Sequence, residues 1–421
     1  MKGTTLASAA LGALGTALCL PVEGHPAGEL KVRVAASIVC LFAALIVYFE
    51  GDSLFGGVGG HKVDISGVPV SLQDHVIVDE QKKDTPEDLD AYENVYDVKK
   101  GGFSRVKLVR RAGTKETFAM KLTNIHRAFD EGQVGHILSE KEVLAKVKHP
   151  FVNRLYATFR DDTYVYFLLE FVPGGELFDV IKRERKLCQD HAKFYAANVI
   201  AAVEYLHSQN VAFRDLKSEN LLLDRRGYLK VIDFGMSRFV RQGCRCTTFA
   251  GTLDYVSPEI LRQEPYEQNV DWWALGCLVH EMLTGSPPFV GSEEERLRQM
   301  VSHSLAEMDG PGIDPRARDF VRSLLHPKLG KRLGTGVDAG YRIRCHPWFE
   351  GFDWVALVRR ELEAPNLSAK GAPKGAPNIL TTPQKKLLTR SLSVRAAVEN
   401  DPPESPRIYS PKAIDTFFKG F

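Results

Sequence analysis

At 421 residues the chain is long for one domain and suits one large two-lobed enzyme with extensions, or two ordinary domains. An apolar share of 44% excludes a mostly disordered chain, and 55 basic against 53 acidic side chains exclude a whole-molecule field of the kind that gathers nucleic acid. Seven cysteines, of which only Cys244 and Cys246 are close neighbours, fit reduced thiols rather than a secreted disulfide framework.

The chain opens unevenly. Residues 4–20 carry no charge and are rich in Ala, Leu and Gly. With its Met1-Lys2 head, segment 1–20 fits a signal-peptide apolar region with an Ala17-x-Cys19 cleavage pattern, a poor membrane helix, or a disordered extension. A second run, 34–49, holds sixteen uncharged residues between Lys31 and Arg33 before it and Glu50 and Asp52 after it. It is slightly short for a bilayer core, but Arg33 can snorkel, and the expectation is a membrane span rather than a buried core helix. Six glycines in 51–67 and seven acidic residues in 79–93 make 51–91 a linker.

Dense periodic sequence begins near Tyr92. Strand-like stretches come first, at Arg105–Arg110, Thr117–Leu122 and Tyr164–Phe171, with one helix at Val134–Val147 among them. Helical periodicity follows at Gln189–Ser208, Val270–Thr284 and Pro315–Leu325. Strands followed by helices predict an α+β chain with a small β-rich lobe, 92–171, and a larger helical lobe, 172–349. From 350 to 421 runs a tail rich in Pro, Gly and Ser that ends on Phe417-Phe418-Lys419-Gly420-Phe421.

Phosphoryl transfer asks for held phosphates, metal between them, and an acceptor hydroxyl in line. The sequence offers groups of that kind in order. Ala119-Met120-Lys121 ends a predicted strand, where a cation can hold phosphates if a carboxylate orients it, and Glu140 on the next helix is the candidate partner. Either residue alone is usually just solvated. Phe213-Arg214-Asp215-Leu216-Lys217-Ser218-Glu219-Asn220 then sets a carboxylate, an ammonium and an amide within six residues on a predicted loop, and Asp233-Phe234-Gly235 follows a short strand, Tyr228–Ile232.

Together with Lys121 upstream and Ser257-Pro258-Glu259 downstream, these blocks resemble the catalytic-loop and metal-binding motifs of the eukaryotic protein kinases. Asp271-Trp272-Trp273-Ala274-Leu275-Gly276, Phe194-Tyr195-Ala196-Ala197 and Glu204-Tyr205-Leu206-His207-Ser208 are similar to the group that holds the cAMP- and cGMP-dependent kinases and protein kinases B and C. They look most like the catalytic subunit of the cAMP-dependent kinases, as does the terminal Phe418-x-x-Phe421. The resemblance covers 92–349 strongly and the tail only at its ends.

The resemblance implies a bilobal serine/threonine kinase that uses ATP and magnesium. Asp215 is then expected to accept or orient the substrate hydroxyl, Lys217 to neutralise the transferring group, and Lys121, oriented by Glu140, to hold phosphates. Asn220 and Asp233 would ligate magnesium, hard oxygens suiting a hard cation. Nucleotide contacts are expected from Val98, Gly101, Phe103, Val106 and Ala119 on the small-lobe side. Leu169, Glu170, Val172, Glu176 and Leu222 would complete them. Glu259 would pair with Arg332, and Asp271 would brace the catalytic loop. Lys217, with Thr252 near the acceptor, favours Ser/Thr over Tyr.

By the same resemblance Glu176, Glu219 and Glu281 stand where relatives bind arginines upstream of the acceptor, carboxylate and guanidinium pairing in bidentate fashion. The implied preference is Arg-Arg-x-Ser/Thr followed by an apolar residue, for which Phe249, Leu253 and Val256 would line a pocket. Thr248 occupies the activation-loop phosphosite, with His136, Arg214 and Arg238 as its cationic clamp. Ser393, three residues after Arg390, and Ser410, before Pro411, are candidate tail phosphosites. Phe418 and Phe421 are expected to return to a small-lobe pocket.

Departures sharpen the picture. Where these kinases read Gly-x-Gly-x-x-Gly-x-Val, the chain reads Lys99-Lys100-Gly101-Gly102-Phe103-Ser104-Arg105-Val106, so lysine replaces the first glycine and serine the third. Reduced nucleotide affinity is the expectation, with a pseudokinase or a membrane-tethered scaffold as the alternative. Thr247 stands where relatives present a tryptophan to the cAMP-binding regulatory subunit, and no cyclic-nucleotide-binding segment precedes the kinase motifs. Direct control by cyclic nucleotide is therefore not expected, while an inhibitory subunit acting in trans stays open. With 34–49 spanning, the kinase would be membrane-anchored and face the cytosol; the alternative is a soluble cytoplasmic protein.

Overall fold

The computed structural model describes residues 72, 88–100, 104–240, 245–305, 308, 312–336, 338–365 and 411–421. All belong to one compact unit, Pro69–Phe421. Its first part is a five-stranded antiparallel sheet in the order β1-β2-β3-β5-β4, built from β1 (Tyr92–Lys100), β2 (Ser104–Arg111), β3 (Thr117–Asn124), β4 (Leu155–Arg160) and β5 (Tyr164–Glu170). Strand β5 is apolar without alternation because both of its faces are covered. Tyr166 and Leu168 join Val109, Phe118, Met120 and Leu122 in a core on one side, while Val165, Phe167 and Leu169 join the larger core on the other.

Between β3 and β4 lie α1 (Ile125–Asp130) and α2 (Val134–Lys146). Asn124 starts α1 by accepting the Arg127 amide on its side-chain oxygen, satisfying one of the donors a helix N-terminus leaves free. Helix α2 turns Ile137, Glu140, Val143 and Leu144 inward, which is how a charged residue comes to be buried beside the sheet.

The second part is helical. It holds α3 (Leu177–Glu184), α4 (Gln189–Ser208), α5 (Pro258–Leu261), α6 (Val270–Thr284), α7 (Glu293–Ser302), α8 (Pro315–Leu324), α9 (Ala339–Arg344) and α10 (Trp354–Val358). Short strands β6 (Val211–Ala212), β7 (Leu221–Leu223), β8 (Leu229–Val231) and β9 (Arg238–Phe239) pair as β6 with β9 and β7 with β8. The middle of α4 (194–203) and nearly all of α6 are buried on every side and form the centre. Buried Arg332 clamps Glu259 of α5 at 2.7 and 3.0 Å and lies 4.7 Å over the Trp273 ring.

The connector between the parts is stitched to β7. Gly174 N–H donates to Leu223 O (2.8 Å), Leu223 N–H donates to Gly175 O (2.9 Å), and Glu176 bridges Leu222. A Cβ at Gly174 would come within 2.5 Å of Leu223 O, so only glycine admits this approach. Leu144, Phe213 and Phe234 share one buried cluster with Leu155 packed against it, and the Phe213 and Phe234 rings meet edge-on at 5.2 Å.

Helix α11 (Pro411–Phe417) and the last residues return to the small part. Phe418 is fully buried against Phe129, and Phe421 meets Phe167 at 5.5 Å beneath the Lys141 ammonium. Arg160 holds Asp415 at 2.6 Å. The observed architecture is the bilobal α+β arrangement expected from the sequence.

The expected membrane anchorage is corrected. Among the described residues no helix is long and apolar enough to cross a membrane; α4, the longest, carries Asp190, Lys193 and Glu204. The apolar segments 1–20 and 34–49 and the linker up to 87, apart from Leu72, lie outside the described residues.

Candidate active site

Strand β3 presents Lys121 toward α2, where both Glu140 oxygens lie 2.7 and 3.0 Å from its Nζ. A third oxygen, Asp233 Oδ1, sits at 2.9 Å. Burial disfavours the Lys121 ammonium, but the two carboxylates outweigh it and hold its pKa above the ordinary lysine value. Burial pushes the Glu140 carboxyl up while Lys121 pulls it back; the Lys121 charge dominates at Asp233 and draws its pKa below the usual carboxylate range.

Two residues of the site adopt left-handed backbone that costs a non-glycine residue energy, Arg214 (φ +69°) and Asp233 (φ +61°). What holds the first is visible. Buried Asp271, at the start of α6, accepts the amides of Phe213 (2.9 Å) and Arg214 (2.7 Å) and takes His207 Nε2 at 2.8 Å. Asp271 thus fixes the backbone from which Asp215 projects, as expected.

Around Asp215 the groups converge. Asn220 Nδ2 donates to Asp215 O (2.9 Å) and Oδ2 (2.8 Å), and Lys217 Nζ lies 2.9 Å from Oδ2. The Thr252 hydroxyl accepts from Lys217 (2.8 Å) and donates to Asp215 Oδ1 (2.9 Å). A carboxylate and an ammonium, themselves in contact, therefore both hold one aliphatic hydroxyl.

The donors present fit magnesium. Asn220 spends its NH₂ on Asp215, which leaves its carbonyl oxygen as the acceptor, and Asp233 is ionised and half exposed. One carboxylate and one amide oxygen suit a hard cation that completes its six ligands with nucleotide phosphates and water. Among the described residues no cluster of three His, Cys, Asp or Glu offers a separate all-protein metal cage.

The nucleotide-side residues spread along the cleft. Val106, Ala119 and Leu222 are half-buried, Leu169 and Val172 buried, and Val98 exposed. Glu170 is taken by Lys230 at 2.8 Å. Gly101 and Phe103 lie outside the described residues. Glu176, which opens α3, receives Lys99 Nζ at 3.0 Å.

The other two acidic candidates come together. Buried Glu281 on α6 accepts from Tyr255 OH (2.6 Å) and Ser218 Oγ (3.2 Å), and Ser218 also reaches Glu219 at 3.4 Å. Burial raises the Glu281 pKa, the two hydroxyl bonds oppose the rise, and Glu219 adds to it. Val256 is buried and Leu253 half-buried, while Phe249 shows 56% of its surface.

At Thr248 the hydroxyl accepts from Arg214 Nη1 (3.1 Å), which also reaches Tyr266 OH (3.0 Å); Tyr266 OH donates to Thr248 O (2.8 Å). Burial lowers the His136 pKa and the nearby Arg214 charge lowers it further, so the imidazole is held toward its neutral form. Arg238 is exposed on β9. Ser393 and Ser410 lie outside the described residues. Sequence reasoning passed over Tyr255 and Tyr266, which sit in no recognisable motif, and over Lys99 as a partner for Glu176, although its exchange for glycine was the available signal.

The protein kinase domain model matches residues 92–349. A cAMP-dependent protein kinase catalytic-subunit-like protein of Caenorhabditis elegans is 37% identical over 278 residues, 66% of this chain and 69% of the relative. The cAMP-dependent protein kinase type 3 of Saccharomyces cerevisiae is 36% identical over 265 residues, 63% of this chain and 66% of the relative. Human cGMP-dependent protein kinase 2 is 39% identical over 266 residues, which is 63% of this chain but 35% of that longer protein. With the hydroxyl-gripping Asp215 and Lys217, the Lys121–Glu140 pair and these matches together, the chain belongs to the protein kinase family, in the serine/threonine group of the cyclic-nucleotide-dependent enzymes.

Proposed function

We propose that this kinase transfers the γ-phosphoryl group of magnesium-bound ATP to serine or threonine in peptides of the form Arg-Arg-x-Ser/Thr followed by an apolar residue. The observation that carries the reading is the Thr252 hydroxyl held between Asp215 and Lys217, because an incoming serine hydroxyl needs the same two contacts. Asp215 orients that hydroxyl and accepts its proton; Asn220, bonded to both carboxylate and carbonyl of Asp215, keeps the acceptor oxygen aimed. Lys217 balances negative charge on the transferring group. Lys121, ionised and steadied by Glu140, holds phosphate oxygens, while Asn220 and Asp233 supply oxygens to magnesium. Bound magnesium ATP supplies the phosphoryl group and screens its oxygens.

Arginine recognition rests on the paired Glu219 and Glu281 and on Glu176. Exposed Phe249 suits the apolar residue after the acceptor, since an uncovered ring gains by burial. An inhibitory subunit bearing a similar arginine-rich segment would fit the same carboxylates. A peptide phosphorylation assay tests the reading: wild type should label Arg-Arg-x-Ser-apolar peptides, and Asp215→Asn should lose on the order of 100-fold or more in kcat. Equal rates for the two proteins would reject the assignment of Asp215. Glu281→Gln should raise KM for the arginine peptide and spare the alanine version; equal changes on both would reject its role in recognition.

A further inference from the structure

We infer that Lys99 sets how strongly this kinase reads the arginine three residues upstream of the acceptor, by occupying the Glu176 carboxylate that this arginine would take. The inference rests on the proposed role of Glu176. Lys99 is the second-last residue of β1, opposite Val106, at the position where glycine was expected. Its Nζ spans the cleft to Glu176 Oε1 at 3.0 Å. Glycine at this position has no side chain with which to make such a contact. Glu176 opens α3 but makes no side-chain bond to the helix amides, so its carboxylate is directed to the cleft.

The ammonium touches one carboxylate oxygen, whereas a guanidinium binds best through two parallel bonds to both. An arriving arginine therefore meets a carboxylate already part-neutralised, and must displace Lys99 or accept a single bond. Lys99 is 65% exposed, so the pair is a weak one that opens at modest cost. The preference at this position is thus lowered without being abolished. Glu219 and Glu281 differ, since the groups that reach them are hydroxyls of Ser218 and Tyr255, which leave their charge intact for the other arginine.

A double-mutant cycle reads the effect as a ratio: KM for a peptide with alanine three residues upstream, divided by KM for the same peptide with arginine, at saturating ATP. Wild type, Lys99→Met, Glu176→Gln and the double variant are compared, each first shown to melt cooperatively. Lys99→Met should raise the ratio about two- to fivefold. The gain of Lys99→Met over wild type should vanish in the Glu176→Gln background and shrink as added salt weakens the Lys99–Glu176 pair. If Lys99→Met leaves the ratio unchanged while Glu176→Gln lowers it, the inference about Lys99 is wrong and the role of Glu176 stands. If Glu176→Gln changes the ratio in neither background, both are wrong.

Discussion

Single side chains in this molecule carry charge states that their surroundings impose. His149 is buried, stacks on Tyr205 and accepts the Phe151 amide on Nδ1; burial and nearby Lys230 push its pKa down to about 3. Below its ordinary value of 6.5 the unfolded chain binds a proton that the folded one refuses. Stability from this residue is therefore full above pH 6.5 and is lost as pH falls toward 3, by up to about 1.4 kcal/mol per pH unit. His149→Asn keeps an acceptor for Phe151 and should flatten the stability slope between pH 6.5 and 5 by that amount in urea titrations; an unchanged slope rejects the account. The Arg214 contact with Thr248 makes a second prediction. A phosphate there adds negative charge beside Arg214, so the His136 pKa, now lowered, should rise in the phosphorylated protein when followed by NMR. Thr248→Ala should cut kcat/KM about tenfold or more if this phosphate orders the loop; full activity in the alanine variant would dismiss the clamp.

At the scale of elements, the last turn is the most exposed to test. Phe418 is wholly buried and Phe421 half-buried, tied by Phe129, Phe167 and Lys141 to a pocket between α1, α2 and β5. Deleting residues 418–421 should cost on the order of 3 kcal/mol and lower Tm by several degrees, measured by calorimetry with kinase activity alongside. The same scale shows what the sequence made legible. Gln189–Ser208 and Val270–Thr284 are helices with the expected bounds, because a long apolar run closed by Ser208-Gln209-Asn210 or Gly285 admits little else. Strand β1, Tyr-Glu-Asn-Val-Tyr-Asp-Val-Lys-Lys, escaped notice since an edge strand buries little and bears charges freely. Helix α7 escaped too, although Ser292 and Glu295 form a capping box that the sequence displays. In the site, Asp215, Lys217, Asn220 and Asp233 were legible as contiguous motifs. Tyr255 and Tyr266 were not, because each acts on residues brought near only by the fold.

For the whole molecule, near-neutral net charge means that no global field draws substrate in, so recognition should be local. KM for a peptide with two arginines should rise several-fold between low and about 0.3 M salt, and KM for its arginine-free counterpart should not. Equal salt dependence of the two would place the attraction elsewhere. The lobes themselves meet through the Lys121–Asp233 and Lys99–Glu176 pairs and the connector. The stitching of residues 174–176 to β7 divides that connector mechanically: from Gly174 onward the chain travels with the large lobe. Rigid-body opening then turns on Phe171–Pro173 together with the turn before β4, where Phe151 and Asn153 are bonded to Val231 of the large lobe. Lys99 reaches from β1 in one lobe to Glu176 in the other, which makes their separation a natural gauge of how far the cleft stands open.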